Sequence, residues 1–167
     1  ILSIGTSVAK ASQVEAAQRK LDVALRRLRI DEVLEEEVGR FFTDVMEMRL
    51  TDSRRSASYV LQVNVDEYGI EATGAGSPVS FRVSGEAELF DTWDNDRIWR
   101  DRFDSREQVS PAIFGLPASA GNVLSAAMLN ELTEEEIAAG MERVTRDAAW
   151  AIATEFEDDL YRARRRR

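Results

Sequence analysis

The chain has 167 residues, of which 44% are hydrophobic and 32% are charged, and its net charge at pH 7 is −9. This balance is typical of a folded globular domain, and the acidic charge argues against a nucleic-acid-binding protein, which would present a basic face. Histidine and cysteine are both absent, which excludes zinc sites built from them, haem ligation by histidine, and catalysis by Ser-His-Asp or Cys-His groups.

The N-terminal part, 12–50, is predicted to be helical. Apolar residues recur at helical spacing in its first half, and Asp31 is placed to cap a second helix that would end near Leu50. Before this part, Ile1–Gly5 is interpreted as a short strand, and the alternative that residues 8–12 are the remnant of a signal-peptide cleavage site stays open. The predicted apolar stripe of the second helix consists of Leu34, Val38, Phe41, Phe42 and Val45.

Residues 58–104 are predicted to form three antiparallel strands. The best evidence is Val79–Leu89, where apolar and polar side chains alternate, as they do in a strand with one buried and one solvent-facing side. The other strands are predicted at Tyr59–Val65 and Ile98–Phe103. A glycine-rich connection at Tyr68–Pro78 and a short polar tip after the second strand make the three strands direct neighbours. The buried side of the second strand is predicted to carry Val79, Phe81, Val83, Ala87 and Leu89.

The segment 105–132 is predicted to be a loop that is unusually apolar. Prolines and glycines interrupt any long element in it, although a short helix near 122–130 is plausible from its composition. Its apolar residues have two interpretations that both stay open. They form an exposed surface for a partner, or they fold over one end of the sheet.

A long C-terminal helix is predicted at 133–163, followed by a basic tail. Thr133 and Glu136 match the capping box, and Leu132 with Ile137 matches the hydrophobic staple. The helix and sheet together predict a single α+β domain over the whole chain. One layer is a three- to four-stranded, mainly antiparallel sheet. The other layer consists of the N-terminal helices and the C-terminal helix. The apolar stripe of the last helix is Ile137, Met141, Val144, Ala148, Ile152, Phe156 and Leu160.

No catalytic residue, metal site or cofactor is predicted. The polar residues within Asp91–Asp96 could offer oxygen ligands to calcium, but they lack the spacing and the distant glutamate of a calcium loop. They are therefore interpreted as a solvated hairpin tip. Carboxylates at 35–37 and 155–159 lie opposite apolar stripes, which is typical of solvated helix faces and not of the facing pair that a glycosidase needs.

Three surfaces are predicted to contact a partner: the hairpin tip, the apolar loop and the basic tail. Trp99 is assigned to the core, whereas the exposure of Trp93 and Trp150 is left open. The tail could contact a protein or anionic lipid headgroups, or be a solubilising end. The residues of the three surfaces are Trp93; Ile113, Phe114 and Leu116; and Arg164, Arg165, Arg166 and Arg167.

Five segments carry a family resemblance: Tyr59–Val65, Glu67-Tyr68-Gly69, Val79–Leu89, Ile98-Trp99-Arg100 and Ala148–Ala153. Together they resemble the auxiliary lipoproteins of ABC-type transport systems. These are periplasmic proteins anchored to the outer membrane, partners of lipid-trafficking machines such as the MCE-type transporters. The resemblance implies a non-enzymatic accessory subunit that docks on protein subunits of an envelope complex. It also implies a lipidated residue upstream of the first residue.

Three alternatives to this function stay open. The first is a carrier of lipid or another apolar ligand, with a cavity between the sheet and the helices. The second is a structural subunit of an unrelated multiprotein complex, and the third is an enzyme that uses carboxylates.

Overall fold

The computed structural model describes residues 19–72 apart from 21 and 27, residues 79–108, and residues 133–165. The three strands form one antiparallel sheet in the order β1-β2-β3, packed with helices that include a long C-terminal one. The predicted α+β class is confirmed. Residues 22–26 are helical as well. The main elements in chain order are α1 (Ile30–Asp44), β1 (Tyr59–Ala72), β2 (Val79–Asp91), β3 (Arg97–Gln108) and α2 (Glu134–Arg165).

Helix α1 is shorter than predicted. It begins at Ile30 and ends at Asp44, not near Leu50, because Glu47 takes a left-handed conformation with φ 54°. The N–H of Met48 then donates to the carbonyl of Phe42 at 2.8 Å, which closes the helix end. Four members of the predicted stripe are buried, namely Leu34, Val38, Phe41 and Phe42, whereas Val45 lies beyond the helix and is exposed.

Two strands are longer than predicted. Strand β1 continues through Tyr68 and Gly69, where a hairpin connection was expected, because the glycine accommodates a φ of 149° that strains other residues. Strand β3 continues to Gln108, inside the segment predicted as an apolar loop. Its last residues are polar, yet Ser105 and Glu107 are half-buried while Asp104 and Arg106 are exposed. Because the residues of this strand end are polar, the sequence shows no hydrophobic alternation there, and the predicted strand therefore ends too early.

The chain divides into two compact units that share the long elements. Unit 1 comprises 1–29, 69–82 and 106–143, and unit 2 comprises 30–68, 83–105 and 144–167. In unit 1 the ring of Phe81 is fully buried and lies against Gly140 of α2. A Cβ added to Gly140 would be only 2.7 Å from the Cδ2 atom of this ring. No side chain larger than hydrogen fits there, so the glycine sets how closely the helix approaches the strand.

Unit 2 is held by aromatic contacts between the helices and the sheet. Phe156 of α2 meets Phe42 and Trp99 edge-on, with ring centroids 5.3 and 5.2 Å apart, an arrangement that aromatic quadrupoles favour. Trp99 also donates its Nε1–H to Asp159 at 3.1 Å. Trp99 therefore packs against the last helix, as predicted, with its polar atom satisfied.

The predicted hydrophobic stripe of α2 is confirmed. Every member from Ile137 to Phe156 is buried, and Leu160 is half-buried. The helix begins at the predicted capping box, since Thr133 accepts the N–H of Glu136 at 3.2 Å and Glu136 accepts the N–H of Thr133 at 2.8 Å. The helix runs to Arg165 and so includes two residues that were assigned to a separate tail.

We expect Gly140→Ala to destabilise the protein, by up to about 2 kcal/mol. Alanine is favoured over glycine in a helix by about 1 kcal/mol, but the added methyl would overlap the Phe81 ring, and overpacking costs about 1–3 kcal/mol. Denaturant unfolding measures the difference. Adding Phe81→Leu should show positive coupling by relieving the overlap. If Gly140→Ala alone were as stable as the parent or more stable, this packing would be contradicted. The control is Ala139→Gly on the exposed side of the helix, which measures the effect of helix propensity without a change in packing.

We expect Thr133→Ala to lower the free energy of unfolding by about 1 kcal/mol, because the first turn of α2 would lose an acceptor for the N–H of Glu136. Thr133→Ser keeps the hydroxyl and should stay close to the parent. Urea denaturation of both variants checks the capping box. Equal stability of the alanine and serine variants would show that the hydroxyl contributes nothing.

Candidate functional site

The structure describes only part of the three predicted partner surfaces. Trp93 lies at the tip between β2 and β3, and its side chain is 95% exposed. Arg164 and Arg165 are exposed in the last turn of α2. The apolar-loop residues Ile113, Phe114 and Leu116, and the arginines Arg166 and Arg167, lie outside the described residues.

The hairpin tip is built from acidic residues that hydrogen-bond their own backbone. Asp91 donates its N–H to the carbonyl of Asp96 at 2.9 Å, which closes the turn. The carboxylate of Asp91 accepts the N–H of Trp93 at 2.7 Å, and the carboxylate of Asp94 accepts the N–H of Asp96 at 3.0 Å. Asn95 completes the turn in a left-handed conformation with φ 61°, which asparagine tolerates better than most residues. The acidic residues of the tip thus order the turn.

The tip is also tied to the segment that precedes β1. The hydroxyl of Thr92 donates to the carbonyl of Ala57 at 2.6 Å, and the N–H of Thr92 donates to the carbonyl of Ser58 at 3.0 Å. Arg54 donates to the side-chain oxygen of Asn95 at 2.6 Å. These bonds fix both sides of the turn, so that the backbone that carries the exposed indole is ordered.

The sequence predicts Trp93 at this tip but does not indicate the hydrogen bonds that hold the turn. Arg54 lies in a polar stretch without periodicity, 41 residues before its partner, and no local pattern indicates such a contact. The sequence does contain one signal for such hydrogen bonds, namely Thr92 within an acidic turn, because Asp and Thr side chains at turns commonly bond nearby backbone groups. In the described part of the chain, no group of His, Cys, Asp or Glu is placed to hold a metal ion.

Trp150 differs from Trp93 in having an aromatic neighbour. Its ring meets Phe41 edge-on with centroids 5.1 Å apart, although 62% of the side chain stays exposed. Trp93 is 95% exposed. Of the two tryptophans whose exposure the sequence left open, Trp93 is therefore the one more available to a partner.

The outward side of the sheet carries ion pairs between β2 and β3. Glu86 pairs with Arg100 and, at 3.6 Å, with Arg102, while Glu88 pairs with Arg97. The hydrogen bond from Arg100 is the main reason why the pKa of Glu86 is lowered from its usual value of 4.5, and the same contact raises the pKa of Arg100. The alternation of glutamates in one strand and arginines in the next is a sequence signal for such cross-strand pairs.

A shallow groove of about 480 Å³ lies along α1 and the segment after it. Its apolar part comes from Gly39 and Leu50, which lie close together. A Cβ added to Gly39 would be 3.1 Å from the Cδ1 atom of Leu50. The groove carries three glutamates of α1, and Arg40 pairs with one of them, Glu36, at 2.8 Å. We assign it no ligand.

Glu86 should make stability depend on pH in the acidic range. Its pKa is lower in the folded protein than in the unfolded chain, so its contribution is present above pH 4.5 and is lost as the pH falls through the folded value. We expect the unfolding free energy of Glu86→Gln to fall less steeply than that of the parent below this pH.

Urea unfolding at a series of pH values tests this expectation for Glu86. The matched control is Glu157→Gln, which removes an exposed carboxylate that makes no ion pair with the described residues. The control should leave the parent's acidic slope nearly unchanged. Identical slopes for the parent and Glu86→Gln would show that the ion pair with Arg100 does not contribute to folding.

Comparison with known proteins leaves the family open. No protein-family model matches the chain, and no curated protein matches it. Among solved structures the chain is similar to a protein from Caulobacter crescentus CB15 described as a “putative lipoprotein”, with a TM-score of 0.49 and 18% identity over 80% of this chain and 84% of that one. A likeness of this degree carries no information on function, so the auxiliary lipoprotein family stays a prediction.

Among the described residues, no helix has the length and apolarity that crossing a bilayer requires.

Proposed function

We propose that this chain is a non-enzymatic docking module of an envelope-associated assembly, and that the β2–β3 hairpin tip binds a protein subunit of that assembly. The observation that carries the proposal is Trp93, 95% exposed on a turn whose backbone is hydrogen-bonded on both sides. Tryptophan is enriched among the few residues that supply most of the binding energy at protein interfaces.

The energetics favour docking through this residue. A tryptophan side chain offers roughly 150–250 Å² of surface, so that full burial against a partner is worth about 4–6 kcal/mol at about 25 cal/mol per Å². Ordering a loop on binding subtracts from such a gain. The bonds from Thr92 and Asp91 already order the turn, and this cost is therefore small.

The charges around the indole indicate the partner's chemistry. Asp91, Asp94 and Asp96 lie in the same turn, and Arg54 is engaged by Asn95. A complementary partner surface has an apolar pocket for the indole and cationic side chains at its rim, because like charges facing each other would oppose association.

The envelope setting rests on the resemblance of the strand and helix segments to auxiliary lipoproteins of ABC-type transporters. In that setting the chain is a periplasmic accessory subunit of a lipid-trafficking complex, held at the outer membrane through a lipidated upstream residue. The alternatives of an apolar-ligand carrier and of a structural subunit in another complex stay open as predictions.

We expect a photoreactive phenylalanine analogue at position 93 to cross-link to one envelope protein in cells of the source organism. The same analogue at Tyr68, an exposed aromatic position on β1, is the matched control and should give no such adduct. Excess unlabelled parent protein should compete for the adduct, whereas Trp93→Ala should compete at least about 30-fold less well, as expected for an anchor worth about 2 kcal/mol.

Two results of the cross-linking experiment would contradict the proposal in different ways. Equal competition by the parent and Trp93→Ala would show that the indole is not the anchor. A partner recovered in the cytosolic fraction would leave docking intact and refute the envelope assignment.

A further inference from the structure

The end of α2 extends past its last contact with the sheet. Phe156 is the last fully packed residue of the helix in the described chain, and Asp159 still accepts a hydrogen bond from Trp99. From there on the helix has little cover, and residues 161–165, here named the basic helix end, are all exposed. At 1.5 Å per residue, Arg165 lies about 9 Å along the helix from Asp159.

The arginines of the basic helix end are not equivalent. Arg162 is engaged by acidic residues of the preceding turn, since it bonds Asp159 at 2.7 Å and lies 3.6 Å from Glu155. Arg164 makes no ion pair with the described residues. Arg165 lies over the ring of Tyr161 with 5.2 Å between its guanidinium carbon and the ring centroid. Two further arginines follow in the sequence.

Among the described arginines of the helix end, pairing with acidic residues of the same helix accounts for only Arg162. A cation in the last turn is favoured by the helix dipole, and pairs with acids three or four residues earlier add to this. Arg162 has such acids at Asp158 and Asp159. Arg164 and Arg165 have Leu160, Tyr161 and Arg162 at those positions, so no acidic residue of the preceding turn compensates their charges.

We propose that the basic helix end binds the surface of an anionic phospholipid bilayer. The chain as a whole is acidic, with a net charge of −9, and this charge opposes approach to such a surface. The Debye length at physiological salt is about 8 Å, so a helix end that extends about 9 Å beyond the sheet contact reaches the headgroups while much of the acidic body is screened.

Tyr161 fits the same surface. Its side chain is 58% exposed and lies beneath Arg165. Tyrosine and arginine together are typical of the headgroup level of a membrane, where the ring meets the apolar boundary and the cation meets phosphate. The contact is peripheral, involves no residue of the hairpin tip, and is independent of the function proposed above.

Sedimentation of the full chain with lipid vesicles tests the proposal. We expect binding to vesicles of phosphatidylcholine mixed with phosphatidylglycerol at about 0.1 M salt, and none to phosphatidylcholine alone. Arg164→Gln with Arg165→Gln should weaken binding roughly 30-fold, about fivefold for each charge. The same positions changed to lysine should retain it, because the surface recognises charge.

The matched control is Arg162→Gln combined with Asp158→Asn, which removes one cation and one carboxylate that lie 3.9 Å apart and leaves the net charge unchanged. It should weaken vesicle binding less than about twofold. Trp93→Ala should bind vesicles as the parent does. Equal binding to both vesicle types, unchanged binding of the double glutamine variant with a parent-like far-UV spectrum, or binding to DNA but not to anionic vesicles would overturn the proposal.

Discussion

The packing of the Phe81 ring on Gly140 is the contact that governs the approach of the last helix to the sheet in unit 1. The ring has no exposed surface, and Ile137 and Met141 of the same helix are buried as well. Glycine costs a helix about 1 kcal/mol relative to alanine. Its presence in the second turn of α2 is accounted for by the space that the ring occupies. Close packing of this kind distinguishes a unique core from a loosely collapsed one.

A similar close approach occurs within the sheet of unit 2. A Cβ at Gly85 would lie 2.8 Å from the ring of Phe103 and would meet the carbonyl oxygen of Asn64. A glycine in a strand interior often marks such a site, where a neighbouring ring or backbone takes the space of the missing side chain. Both buried glycines therefore belong to the packing of aromatic residues.

The surfaces proposed to bind partners contribute little to this core. Trp93 is almost wholly exposed, and Arg164 and Arg165 follow the last packed turn of α2. Function and stability are then separable by mutation, because changing an exposed side chain leaves the buried contacts of the core intact. The tip differs from the helix end in one respect. Its backbone is held by the Thr92 bonds to Ala57 and Ser58, so those tethers, more than the indole, connect the surface to the fold.

Several features could be predicted from the sequence: the class of the fold, the buried side of β2, the stripe and capping box of α2, and the place of Trp93 at a turn. All of these depend on residues close in the chain, through the periods of strand and helix. Tertiary structure decided the early end of α1, the polar extension of β3, the engagement of Arg54 with Asn95, and the reason for Gly140. The contact of Arg54 and the space beside Gly140 involve groups far apart in sequence. The end of α1 and the polar end of β3 depend on backbone conformation and strand pairing, which leave no periodic signal.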